Sequence, residues 1–275
     1  MESSSKNMNN PGFVDVEWLK DHIDDPDVCI VDTRPACDYI RGHIKNSVNI
    51  GLSDIVKTRR GLPSMCISEK EIGSVLGNKG IGNDTPVFAY DNFGGIFASR
   101  LLWTLEYFGH KNVMIFDGSI KRWMDDGEKF TVAITRIKKA SYTANQDESR
   151  IATKEWILAH LNDNNVKFLD VRTSGEYEGM TVYGTRGGHI PGAVNLHWLD
   201  TIDPTSGRFR QAKELKAIYE KIGIKPDKEI VTYCWMGLRA SHTYAILRLL
   251  GYSNVRVYDS SWSEWGEIES LPVER

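Results

Sequence analysis

Short apolar runs of strand length recur along the chain, with helix-period stretches between them. In the first half they read "CIVD" from Cys29, "VFAY" from Val87 and "VMIF" from Val113. In the second half they read "KFLD" from Lys167, "IVTY" from Ile230 and "VRVY" from Val255. Between two of these lies "SHTYAILRLL", apolar at Tyr244, Ala245, Leu247, Leu249 and Leu250, with Gly251 as its stop signal. Runs that are apolar throughout, rather than alternating, belong to strands covered on both faces. The pattern therefore predicts an α/β fold in which a central parallel sheet is flanked by helices on both faces.

The pattern occurs twice. "VEWLKDHI" from Val16 is answered by "KEWILAHL" from Lys154, and "VCIVDTR" by "VKFLDVR", which sets Asp32 against Asp170 and Arg34 against Arg172. "GHIKNSVNI" matches "GHIPGAVNL", "PVFAYD" matches "EIVTYC", and "GHKNVMIFDGSIKRW" matches "GYSNVRVYDSSWSEW". Two domains in tandem follow, at residues 11–130 and 149–275, joined by a polar, aperiodic linker at 131–148. Features present in both copies are expected to be scaffold, since both copies must fold. The pairs Asp32/Arg34 and Asp170/Arg172 are read as structural ion pairs, and His43 and His189 as turn histidines.

Three features belong to the second half alone. Cys234 stands opposite Asp91. Arg239 follows five positions later, where the first half has Ile96. An insertion of about eight residues between Arg172 and His189 carries Arg186 just before Gly187 and Gly188.

Composition narrows the possibilities. Lys and Arg number 34 against 37 Asp and Glu, a net charge of −3, which gives no reason to expect nucleic acid or an anionic membrane as partner. The polar start "MESSSKNMNN" is no signal peptide, and no stretch approaches the roughly 18 apolar residues of a membrane helix. The four cysteines, Cys29, Cys37, Cys66 and Cys234, form no C-x-x-C pair and share no ligand spacing with the histidines. A cytoplasmic protein with reduced thiols is expected, with no metal and no cofactor.

Cys234 leaves a predicted parallel strand at its C-terminal end, where open α/β sheets place ligands. The loop that follows turns into a helix near Ala240. Loop amides aimed inward and a helix N-terminus both favour an anion, and so the thiolate, at the loop's centre. Arg239 adds a planar cation suited to an oxyanion. The plainer alternative, a buried cysteine that merely ends a strand, explains neither the glycine-containing loop nor the arginine. Cys29 reads as strand packing.

On these residues the chain resembles the rhodanese family, the thiosulfate and 3-mercaptopyruvate sulfurtransferases. The loop "CWMGLR" has the family's six-residue active-loop form. Asp91 stands where the N-terminal copy of two-domain members commonly carries aspartate. "RGGHIPGAVN", "CWMGLRASHTY" and "YDSSWSEWG" are similar to the bacterial and archaeal thiosulfate type. The resemblance implies that Cys234 takes the sulfane sulfur of thiosulfate as a persulfide, releases sulfite, and passes the sulfur to cyanide, a small thiol or a dithiol protein.

It further implies that Arg239 binds the substrate. Arg186 is a second candidate cation, and the backbone of Trp235, Met236, Gly237 and Leu238 is the expected cradle. Trp235 and Met236 either wall the site or pack. His242 is expected to cap or pack, Arg59 and Arg60 to lie on a solvated loop, and Asp91 to serve as a wall that excludes water. Some vertebrate-type relatives have an arginine at the position of Glu176 and two basic residues directly after the cysteine. Neither is present here.

Three rivals stay open. A 3-mercaptopyruvate enzyme would have a smaller loop such as C-G-S-G-V-T. A phosphatase or arsenate reductase would have one more residue between cysteine and arginine. A persulfide carrier or binding module would have the same loop and little turnover.

Overall fold

In the computed structural model, which describes residues 13–117 and 120–275, the apolar runs form parallel strands buried at nearly every position. The polar leader and the expected first boundary at residue 11 lie outside the described residues. The described chain divides into two units. One comprises the residues up to Ile55 together with Ile67–Gln146, and the other comprises Val56–Cys66 together with Asp147–Arg275.

In the first unit the strands are β1 (Phe13–Val14), β2 (Cys29–Asp32) and β3 (Val48–Asn49), and, after the hairpin β4 (Val56–Arg59) and β5 (Leu62–Cys66), β6 (Val87–Tyr90) and β7 (Val113–Phe116). Their order in the sheet is β1-β7-β6-β2-β3, parallel throughout. The second unit repeats it with β8 (Ile151–Ala152), β9 (Val166–Asp170), β10 (Val194–Asn195), β11 (Glu229–Tyr233) and β12 (Val255–Tyr258), in the order β10-β9-β11-β12-β8. Parallel neighbours need crossover connections, and the helices between strands supply them on both faces.

The helices of the first half are α1 (Val16–His22), α2 (Ala36–Arg41), α3 (Leu52–Ile55), α4 (Glu69–Asn78), α5 (Ile96–Tyr107) and α6 (Ile120–Asp125). Those of the second are α7 (Lys154–His160), α8 (Ser174–Tyr177), α9 (Ala212–Lys221), α10 (Leu238–Leu249) and α11 (Trp262–Trp265). At 7 residues each, α1 and α7 are too short to persist alone. Caps by Asp15 and Thr153 start them, and burial of Val16, Leu19 and Ile157 holds them to their cores. By contrast α5 and α10 are buried on almost every side, so they run through the interior. Each starts at a glycine in the left-handed region, Gly95 at φ 82° and Gly237 at φ 78°.

The features shared by the two halves are scaffold. Arg34 grips Asp32 through Nε and Nη2 and donates to the Gly42 carbonyl at 2.7 Å; Arg172 does the same with Asp170 and Gly188, also at 2.7 Å. These pairs are buried, and removing one partner would strand the other's charge at a cost of about 3–5 kcal/mol. His43 stacks on Tyr39 and His189 on Tyr177, with ring centroids 3.8 and 3.7 Å apart. Each ring is also fastened to a backbone carbonyl, His43 Nδ1 to that of Tyr39 at 2.8 Å and His189 Nδ1 to that of Tyr177 at 2.9 Å.

Two segments depart from a simple reading of the repeats. The hairpin β4–β5 lies within the first half of the sequence, yet it groups with the second unit. Its Cys66 N–H donates to the Asp259 carboxylate at 2.9 Å, and the Ser64 hydroxyl lies 3.9 Å from the Met236 sulfur. Residues 131–146 carry almost no regular structure but belong to the first unit. Thr131 pairs with His43, the Ala140 N–H donates to the Gly77 carbonyl at 3.0 Å, and Tyr142 is buried.

Candidate active site

β11 carries the chain through the middle of the second sheet and ends at Tyr233, so Cys234 emerges at its C-terminal edge. The thiol residue is buried, at 1% exposure, and is not in a disulfide. The loop turns at once, and its shape has an identifiable support. The Ser261 hydroxyl accepts the N–H groups of Cys234 and Gly237, both at 3.1 Å, and donates to the Tyr258 carbonyl at 2.7 Å. From the other side the N–H groups of Trp262 and Ser263 donate to the carbonyls of Cys234 and Trp235, both at 3.0 Å. Ser261 holds a strained conformation, φ 54° and ψ −149°, to reach this position.

The cradle differs from expectation at one residue. Gly237 turns its N–H to Ser261 rather than into the loop's centre. The amides of Leu238, Arg239 and Ala240, in the first turn of α10, have no carbonyl to bond within the helix and supply the positive end of its dipole.

The equivalent loop of the first unit shows what such a ring of amides holds. Asp91 is buried, and its carboxylate accepts four backbone N–H groups: Phe93 at 2.8 Å and Gly95 at 2.9 Å on one oxygen, Phe97 at 2.8 Å and Ala98 at 3.1 Å on the other. Burial, the larger influence, lifts this carboxyl above its ordinary range, and the four amides pull it back down. Asp91 was expected to act as a wall; it instead plugs its own loop. The two glycine N-caps also correct the loop register. Gly95 corresponds to Gly237, so the first loop is one residue longer, and the counterpart of Arg239 is Phe97 rather than Ile96.

Arg239 lies in the first turn of α10, next to the loop's end. Its guanidinium meets Glu176 edge to edge, Nη1 to Oε2 and Nη2 to Oε1, both at 2.9 Å. Burial works against this arginine's charge. The Glu176 hydrogen bonds, followed by the electrostatic influence of Cys234 and the charge of Glu176, outweigh it and hold the guanidinium above its ordinary range. On the other partner, burial pushes the carboxyl up, but Arg239 and the N–H and hydroxyl of Thr173 bring it down to about 2. Glu176 thus serves twice, as the third residue of the Thr173 capping box and as the counter-ion of Arg239.

Arg186 does not join them. Its Nε donates to the Gly266 carbonyl, Nη1 to those of Glu269 and Leu271, and Nη2 to those of Trp265 and Ile268. A guanidinium has five N–H donors, and all five are engaged. The expected second substrate cation is instead a staple for the C-terminal segment. The insertion that carries it does touch the loop, since Tyr183 meets Trp235 edge to face at 5.9 Å.

Trp235 is half-buried against the second unit's core, and Met236 faces Ser64 of the hairpin. His242 is fully buried, stacked on Phe209 and edge-on to Trp198. Arg59 is half-buried on the hairpin, and Arg60 is exposed at its turn. Cys29 sits on β2, where burial pushes its thiol up to about 12, so it stays a packing group. Among the described residues, no group of His, Cys, Asp and Glu could hold a metal ion, and no helix is long and apolar enough to cross a membrane.

Sequence reasoning missed Ser261 and the partnership of Glu176 with Arg239. The signal for the first was a serine in "YDSSWSEW", and for the second an acid at a position where a base was awaited.

With this geometry established, comparison with known proteins is specific. The family model for the rhodanese-like domain matches residues 15–126 and again 153–268. The sulfur carrier protein TtuD of Thermus thermophilus is 32% identical, over 95% of this chain and 95% of its own. A thiosulfate sulfurtransferase of Corynebacterium glutamicum is also 32% identical, over 95% of this chain and 90% of its own. Among solved structures, the 3-mercaptopyruvate sulfotransferase SseA from Escherichia coli superposes with a TM-score of 0.82 at 27% identity, covering 92% of this chain and 99% of that one.

Proposed function

The chain belongs to the rhodanese-like family, and on that premise we propose that it is a thiosulfate sulfurtransferase acting through Cys234. The sulfurtransferase class rests on relatives that match over nearly the full length of both chains. For thiosulfate the supporting residues are those of the second loop.

The Cys234 thiolate attacks the outer sulfur of thiosulfate and forms an S–S bond. The bond to the central sulfur breaks, and sulfite leaves with its electron pair. The negative charge now sits on the terminal sulfur of a persulfide, within reach of the loop amides. Cyanide, a small thiol or a reduced dithiol protein then removes that sulfur, and the thiolate returns. This is covalent catalysis in two half-reactions. The protein's contribution is a set of fixed donors that need no reorganisation when the charge arrives.

One observation carries this reading: the matching loop of the first unit encloses a carboxylate with four amides. The same strand–loop–helix turn, with cysteine in place of aspartate, is an anion site whose anion can be a thiolate or persulfide. The spacing from Cys234 to Arg239 is one residue shorter than in cysteine phosphatases, which favours sulfur over a phosphoryl group. Arg239 is the substrate-binding side chain in this reading, and the amides of Trp235, Met236 and Leu238 are the cradle, without that of Gly237, which bonds Ser261.

Intact-protein mass after treatment with thiosulfate tests it. The wild type is expected to gain one sulfur atom and Cys234→Ser none. A gain that survives in Cys234→Ser ends the proposal. Arg239→Ala is expected to raise the KM for thiosulfate at least tenfold.

A second reading, a persulfide carrier with slow turnover, draws on the likeness to TtuD and on the burial of Cys234. Sulfite released in one stoichiometric burst, without further turnover when thiol is added, would favour it.

A further inference from the structure

Arg239 is the cation that the second loop offers to a donor, and it does not stand alone. Glu176 covers one edge of its guanidinium with two hydrogen bonds, both 2.9 Å long. Glu176 is 3% exposed, so water does little to screen its charge from the loop. It is also fixed in place, because its Oε2 accepts the Thr173 N–H at 3.1 Å and the Thr173 hydroxyl at 3.0 Å. The carboxyl, held down to about 2, stays ionised wherever the protein works. Of the nearby arginines, Arg172 is paired with Asp170, and Arg186 has every donor engaged by carbonyls of the C-terminal tail.

A donor anion arriving at this loop therefore meets a cation whose charge is already balanced. Geometry for recognising an oxyanion is kept, since three of the five guanidinium N–H groups are not used by Glu176. What is reduced is the attraction that rises with each negative charge on the donor. Two donors of similar shape and different charge would feel this differently. Thiosulfate carries two negative charges; an alkyl thiosulfonate, with a methyl group in place of one oxygen, carries one.

We propose that Glu176 is a specificity-determining residue that sets the charge class of the sulfur donor, tempering the site's response to dianions and leaving it open to sulfane donors with a single negative charge. The inference rests on the sulfurtransferase reading above. It assigns to Glu176 a role as internal counter-charge, distinct from its part in starting α8.

The test compares thiosulfate with methanethiosulfonate in wild type, Glu176→Gln and Glu176→Asp. Glutamine keeps the shape, completes the capping box and still offers Arg239 an acceptor, but removes the charge. The ratio of kcat/KM for thiosulfate to that for methanethiosulfonate should rise about tenfold in Glu176→Gln, with the change carried by the KM for thiosulfate. Glu176→Asp, which keeps the charge on a shorter stem, should hold the ratio within about threefold of wild type. If both donors place sulfur on Cys234 and the ratio in Glu176→Gln is unchanged or lower, the role of Glu176 is overturned while the sulfurtransferase reading stands. If neither donor places sulfur on Cys234 in the wild type, that reading fails and the inference falls with it.

Discussion

The loops after β6 and β11 solve one physical problem in two ways. Both follow a central strand, both end at a left-handed glycine, and both deliver the chain into a buried helix. In the first, Asp91 fills the ring with a side chain that can never leave, and four amides bond to it. In the second, a shorter loop places the smaller Cys234 at the same station. Ser261 takes two of the amides and braces the turn from outside. An internal anion closes one loop, whereas a serine hydroxyl outside the turn steadies the other. Where the second loop has a thiol, the first has gained a structural anion.

The sharpest way to break this comparison is to empty the first ring. Asp91→Ala leaves four backbone N–H groups, two buried and two part-buried, without their acceptor. Each unsatisfied group costs about 1–3 kcal/mol, partly recovered if water enters. A loss of roughly 4 kcal/mol is expected, measured as a lower urea midpoint for the first unit. A loss under about 1 kcal/mol would show that the ring does not depend on an anion, and the analogy with Cys234 would lose its footing.

Much of this was legible in the sequence, and the boundary of legibility has a physical cause. Strands, helices and the repeat are written as local periodicity, so the parallel sheets and the equivalence of Asp91 with Cys234 could be read directly. The candidate cysteine was visible because strand end, glycine and helix start are consecutive. Hydrogen-bond partners distant in sequence leave no such period. Glu176 and Arg239 are 63 residues apart, and Arg186 reaches carbonyls about 80 residues away. A carbonyl belongs to every residue, so nothing in the letters marks one as an arginine's acceptor. The hairpin misled for a related reason: it is contiguous with the first half, and its ties to Met236 and Asp259 are tertiary.

A middle-sized effect probes the counter-ion that only the second loop has. The Glu176 carboxyl titrates at about 2 in the folded protein, below its ordinary 4.5. Between those values the unfolded chain takes up a proton that the folded one refuses. The stabilisation from this group is therefore complete above about pH 4.5 and is lost as pH falls toward 2. Going from pH 7 to pH 3 should remove about 2 kcal/mol from the second unit through this residue. Glu176→Gln should lack that component, so its urea midpoint should fall less across the same interval. Equal falls in both proteins would mean that the pair is too weakly coupled to govern donor charge.

The smallest expected effect concerns the brace. Ser261→Ala deletes the acceptor of the Cys234 and Gly237 amides and the donor to Tyr258, yet keeps a side chain at φ 54° and ψ −149°. Ser261→Gly makes the same deletion and releases the backbone, because only glycine occupies that region without penalty. The alanine variant should therefore lose about 1 kcal/mol more than the glycine variant in thermal or urea unfolding. Both should load sulfur on Cys234 more slowly than wild type, since neither holds the turn in register. If the two variants are equally stable, the strain is not real. If both load sulfur at the wild-type rate, the hydroxyl is a bystander, and the second loop, like the first, is held by its own centre.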